Sequence, residues 1–99
     1  MGAAPTDDLP SETRAQFMVL QRRFVAGLPL RWLEIRDAPD SLSMRSALHR
    51  LCGSAGSYGF ERIGQCARAA EALASGESAA ALAQALRVLE TEIGLLQQP

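Results

Sequence analysis

Ser46-Ala-Leu-His-Arg-Leu-Cys-Gly-Ser-Ala-Gly-Ser-Tyr-Gly59 decides how the rest of this chain is read. It holds the only histidine, His49, and three of the eight glycines. Met44, Leu48, Leu51, Ala55 and Tyr58 recur at spacings of three and four, which draws one apolar stripe along an α-helix. His49 lies off that stripe. Its own face carries Arg45, Cys52, Gly53 and Gly56, because residues three and four apart stack on one side of a helix. The helix therefore buries one side and presents an imidazole on another, ringed by small side chains. Gly53 and Gly56 each cost roughly 1 kcal/mol relative to alanine in a helix interior. Two such residues near a histidine demand either another backbone packed closely there or a partner that must come close to the ring.

Working outward, Ser41 is the expected cap of this helix, which runs to about Ser57 with Gly59 as its left-handed terminator. Upstream, Met1 to Pro10 is polar and proline-containing, and reads as a loose arm. Ser11 caps a first helix over 12–26, with Glu12 in its first turn and Phe17, Leu20 and Phe24 as its stripe. Gly27 and Pro29 punctuate it, and a second helix restarts near Leu28 and runs to Asp37, burying Leu30, Leu33 and Trp32. Ala38-Pro39-Asp40 is a turn. Downstream, a fourth helix spans Phe60 to Ser75 with Phe60, Ile63, Ala67, Ala70 and Leu73 or Ala74 inward. A fifth runs from Ser78 to Gln97 with Leu82, Leu86, Leu89, Ile93 and Leu96 as a bundle seam. Short loops imply antiparallel neighbours, so the expectation is an all-α, up-down bundle filling residues 11–99 as one domain.

Composition agrees. Alanine and leucine supply most of the apolar bulk and aromatics are few, which favours helices over strands. A net charge of −1, with ten scattered arginines and no lysine, excludes a basic tract for nucleic acid. No apolar run is long enough to span a bilayer, and two cysteines make no disulfide framework, so a reducing cytoplasm is the default expectation; oligomeric state is open, with monomer as the default. A zinc site on His49, Cys52 and Cys66 lacks a fourth histidine or cysteine, and no metal site is expected. A Cys52–His49 nucleophilic pair has no accompanying oxyanion hole or substrate pocket in the sequence.

His49-Arg-Leu-Cys-Gly-Ser-Ala-Gly-Ser-Tyr-Gly59 resembles the signature of histidine phosphotransfer (HPt) domains, His-x-Leu-Lys-Gly-Ser-Ala-x-x-x-Gly. His49, Leu51, Gly53, Ser54, Ala55 and Gly59 match, and the following helix offers Ala70-Glu71 where the family has a Leu-Glu pair. Phe24-Val-Ala-Gly-Leu-Pro-Leu-Arg31 is similar to the second-helix entry of small bacterial members. The resemblance implies a four-helix bundle with an additional short N-terminal helix. It implies that His49 accepts a phosphoryl group from a receiver-domain aspartyl phosphate and hands it to another receiver, without kinase activity of its own. Mg²⁺ would belong to the receiver, and this chain would bind no cofactor. A neutral imidazole attacks phosphorus without first losing a proton. Glu71, twenty-two residues on, shares a face with Gly64 and Arg68; if that face turns towards His49, Glu71 accepts from Nδ1–H and leaves Nε2 as the nucleophile, and otherwise it is a solvated charge paired to Arg68 or Arg50. The departure is Cys52, where the family usually has lysine. Arg45, Arg50 and Arg68 are the candidates for the missing charge, Arg45 first because it shares the His49 face. Cys52, Gly53 and Gly56 mark where a receiver would approach closely, with Arg45, Arg50, Ser57 and the first-helix surface as flanking candidates. The competing reading is an HPt-shaped module that sequesters or regulates a receiver or kinase without relaying phosphate.

Overall fold

The structure is a computed structural model that describes residues 10–99. Four helices follow one another: α1 (Ser11–Arg36), α2 (Ser41–Ser57), α3 (Glu61–Leu73) and α4 (Ala79–Leu96). Each packs on its neighbours in sequence, and α1 closes against α4, giving an up-down four-helix bundle. The expected arm lies outside the described residues except for Pro10.

The expected break at Gly27–Pro29 is not there, so the separate short N-terminal helix is a correction. α1 runs through Pro29 without interruption. Proline removes the N–H that would have bonded the carbonyl of Val25, four residues back. The side chain of Gln97, at the end of α4, donates to that carbonyl instead, Nε2 to O at 2.9 Å. Leu28, immediately before the proline, is fully buried, so core packing holds it helical against its local preference. One continuous helix also changes the register. Phe24, Leu28 and Ile35 face the core. Leu30 is 74% exposed and Leu33 points outward as well, contrary to expectation, while Trp32 is half-buried.

The caps of α1 and α2 each sit one residue earlier than expected. Pro10 precedes α1, with the Arg14 N–H donating to its carbonyl at 2.8 Å, so Ser11 is already helical. Asp40, in extended conformation, caps α2 by accepting from the Ser43 N–H at 2.7 Å. Those hydrogen bonds, backbone N–H first and Ser43 side chain second, hold the Asp40 carboxyl below the usual aspartate range. Ser78 caps α4 through the Ala81 N–H.

α2 ends as its sequence foretells. Gly59 has φ 81°, the Gly59 N–H donates to the Gly56 carbonyl, and the Phe60 N–H donates to Ala55 at 2.8 Å. This pair of bonds is a Schellman motif. Phe60 thereby sits just outside α3, where its ring stacks on Phe24 at 5.3 Å. Tyr58 packs on Phe24 and Phe17, and its carbonyl accepts from Gln21 Nε2 at 2.8 Å. The α2–α3 turn is thus clamped to α1 by aromatic rings.

Between α2 and α3 the interface is built from small residues. Ala55, Ala67 and Ala70 are fully buried, and Gly64 is buried with them. A Cβ at Gly64 would meet the Cys52 carbonyl oxygen at 3.6 Å and the Ala55 Cβ at 3.7 Å. The two helices therefore run close together. Leu48, Leu51, Ile63, Leu89 and Ile93 fill the centre, with Leu82, Leu86 and Leu96 of the expected α4 seam half-buried around them.

Candidate functional site

The close approach of α2 and α3 places His49 opposite Glu71. Moving along α3 from Gly64 to Glu71 runs back along α2 from Ala55 and Cys52 to His49, the antiparallel sense. His49 Nδ1 lies 3.0 Å from Glu71 Oε2. The histidine side chain is 78% exposed, whereas that of Glu71 is 29% exposed, so the acid is held at the helix interface while the ring stands clear of it. A carboxylate only accepts, so Nδ1 carries the proton of the neutral ring and Nε2 keeps its lone pair. The arrangement offers an oriented nitrogen nucleophile with an acceptor behind it for the positive charge that attack would create.

Clear ground surrounds the ring. Built Cβ atoms at Gly53 and Gly56 would meet nothing within 4 Å, so no part of the described chain packs on them. Of the two explanations for these glycines, packing against another backbone among the described residues is thereby removed. The glycine that does serve packing is Gly64. Its face was legible in the sequence, but its role in setting the α2–α3 spacing was missed. A helix-interior glycine seven residues before Glu71 was the available signal.

The arginines separate by direction. Arg50 turns towards α1, where it donates to Glu34 at 2.6 Å and to Ser46 Oγ at 3.1 Å. Arg45 and Arg68 line one open groove with Glu71, Ala72 and Ser75. Arg68 also lines a second groove, about 260 Å³, with Cys52, Gly56, Glu61, Gly64 and Gln65. Among the described residues neither Arg45 nor Arg68 enters an ion pair or a side-chain hydrogen bond. Ser57 Oγ donates back to the Gly53 carbonyl of its own helix. Cys52 is half-buried beside the site, and Cys66 is buried in the core, where desolvation pushes its thiol pKa up. Among the described residues no group of three or more His, Cys, Asp or Glu side chains could hold a metal ion. No helix among them is long and apolar enough to cross a membrane.

The family model of the Hpt domain matches residues 12–99. The chain belongs to the Hpt domain family. An Hpt domain is a phosphocarrier of two-component signalling that works with receiver domains and is not itself a kinase, and the four-helix bundle around His49 accords with that class. Searches of curated proteins and of solved structures return no match.

Proposed function

We propose that His49 is the phosphoacceptor of a phosphorelay, taking a phosphoryl group from the aspartyl phosphate of one receiver domain and passing it to the aspartate of another. The observation that carries this reading is the pairing of an exposed His49 with a Glu71 carboxylate at 3.0 Å, on a face kept open by Gly53 and Gly56. The Nε2 lone pair forms the P–N bond, the P–O bond to the aspartate breaks, and the carboxylate leaves with its electron pair. The ring becomes an imidazolium through its retained Nδ1 proton, and Glu71 stabilises that charge. The return step reverses these bonds onto the second aspartate.

Phosphoryl transfer depends mostly on positioning and charge stabilisation, and the attacking nitrogen must come within about 3–3.5 Å of phosphorus. Glycines next to the ring let a receiver's rim descend that far. The Mg²⁺ that neutralises the phosphoryl oxygens belongs to the receiver, and the chain acts as a monomer in the cytoplasm. The test is incubation with a phosphorylated receiver and Mg²⁺. Acid-labile, base-stable label on the wild type, absent from His49→Gln, is the expected result. Label that persists in His49→Gln refutes the acceptor, and receiver binding without label points to a sequestering module instead.

A further inference from the structure

Family members usually place a lysine three residues after the histidine, and this chain has Cys52 there. The structure shows what lies across from that position. Arg68 of α3 lines the groove formed with Cys52, Gly56 and Gly64, and it also lines the adjoining groove with Glu71. It is one helical turn from Glu71, on the same side of α3. The Glu71 carboxylate is engaged by His49 and not by Arg68, so the guanidinium is not neutralised from within the described chain. The two other candidates fit less well. Arg50 is committed to Glu34 on the α1 side, and Arg45 lines the groove on the Ser75 side of Glu71, away from Cys52.

We propose that Arg68 binds the phosphoryl oxygens on His49, so that the positive charge absent from α2 at Cys52 is delivered from α3. This inference rests on His49 being the phosphoacceptor. Cys52, one turn from His49 on α2 and lining the groove with Arg68, is the small side chain across which a long arginine reaches. A guanidinium donates two parallel hydrogen bonds to phosphate oxygens, which a lone ammonium does not.

The experiment compares wild type, Arg68→Ala, Arg68→Lys, Arg45→Ala and Arg68→Ala/Cys52→Lys with two phosphodonors, phosphoramidate and a phosphorylated receiver. The expected result is that Arg68→Ala slows labelling of His49 by both donors roughly ten- to a hundredfold, the size of a lost charge-assisted hydrogen bond. The half-saturating receiver concentration and the helical circular dichroism stay unchanged. Arg68→Lys, which keeps the charge but loses the paired donors, falls between wild type and Arg68→Ala; Arg45→Ala has a smaller effect, and Cys52→Lys restores the Arg68→Ala rate to within a few-fold of wild type. Wild-type rates in Arg68→Ala, or no rescue by Cys52→Lys, overturn the assignment. Failure of the relay reading looks different: phosphoramidate labels His49 with the same Arg68 dependence while no receiver donates.

Discussion

At the scale of single residues, Gly53 and Gly56 are the test of what this surface is for. Both sit inside α2 with open space where a methyl would go, so nothing in the bundle requires them. Alanine at either position raises stability by about 1 kcal/mol through helix propensity. If the clearing exists for a visiting receiver, the same substitutions slow phosphotransfer, because the methyls stand beside the ring. Thermal melts and transfer rates on Gly53→Ala and Gly56→Ala check both halves. Faster melting, or transfer at the wild-type rate, shows that the glycines serve something else. His49 and its helix face were legible in the sequence because an imidazole off an apolar stripe is a pattern within one helix. The partner on Glu71 was reachable from the face it shares with Gly64 and Arg68. That Arg50 turns away was not legible, since it depends on Glu34 arriving from α1.

At the scale of elements, α1 shows how a local signal is overridden from a distance. Gly27 and Pro29 mark a break by every local rule, yet the carbonyl that proline orphans is satisfied by Gln97, seventy-two residues away. Gln97→Ala is expected to lower stability by about 0.5–1.5 kcal/mol, the net worth of one hydrogen bond. In a Pro29→Ala background the effect shrinks, because an alanine N–H takes over the Val25 carbonyl; a double-mutant cycle on denaturation midpoints measures that coupling. Equal losses in both backgrounds separate Gln97 from the proline. The α2 cap carries its own pH signature. Asp40 titrates below its ordinary value of about 3.9 when folded, so its contribution is complete above that value. It disappears as pH falls through the depressed value. Asp40→Ala should therefore melt a few degrees lower than wild type at pH 7, and the gap should narrow as the pH is taken below the ordinary aspartate value of about 3.9. A gap that does not narrow at all over that acid range assigns the loss to something other than the ionised carboxylate.

At the scale of the whole molecule, the bundle was legible because amphipathic helix stripes joined by short loops admit few arrangements, although the sequence divided α1 in two. Helix spacing was not, because it depends on which small residues meet, and only the fold brings Gly64 against Cys52 and Ala55. That spacing has a dynamic consequence. α2 and α3 share an interface of fully buried alanines around Leu48, Leu51 and Ile63, and the site spans these two helices alone. α1 begins with residues 11–16, all of them exposed, before its first anchor at Phe17 on Tyr58. Local opening follows buried contact, so the first turns of α1 should open without disturbing α2 and α3. In native-state hydrogen exchange, the amides of residues 13–16 are expected to exchange orders of magnitude faster than those of Leu48, Leu51, Ala67 and Ala70, whose rates follow global unfolding. The His49–Glu71 pair then persists while the end of α1 frays. Were Leu48 and Ala70 to exchange as fast as the start of α1, His49 would not be held by a rigid helix pair, and the proposed transfer by positioning would lose its structural basis.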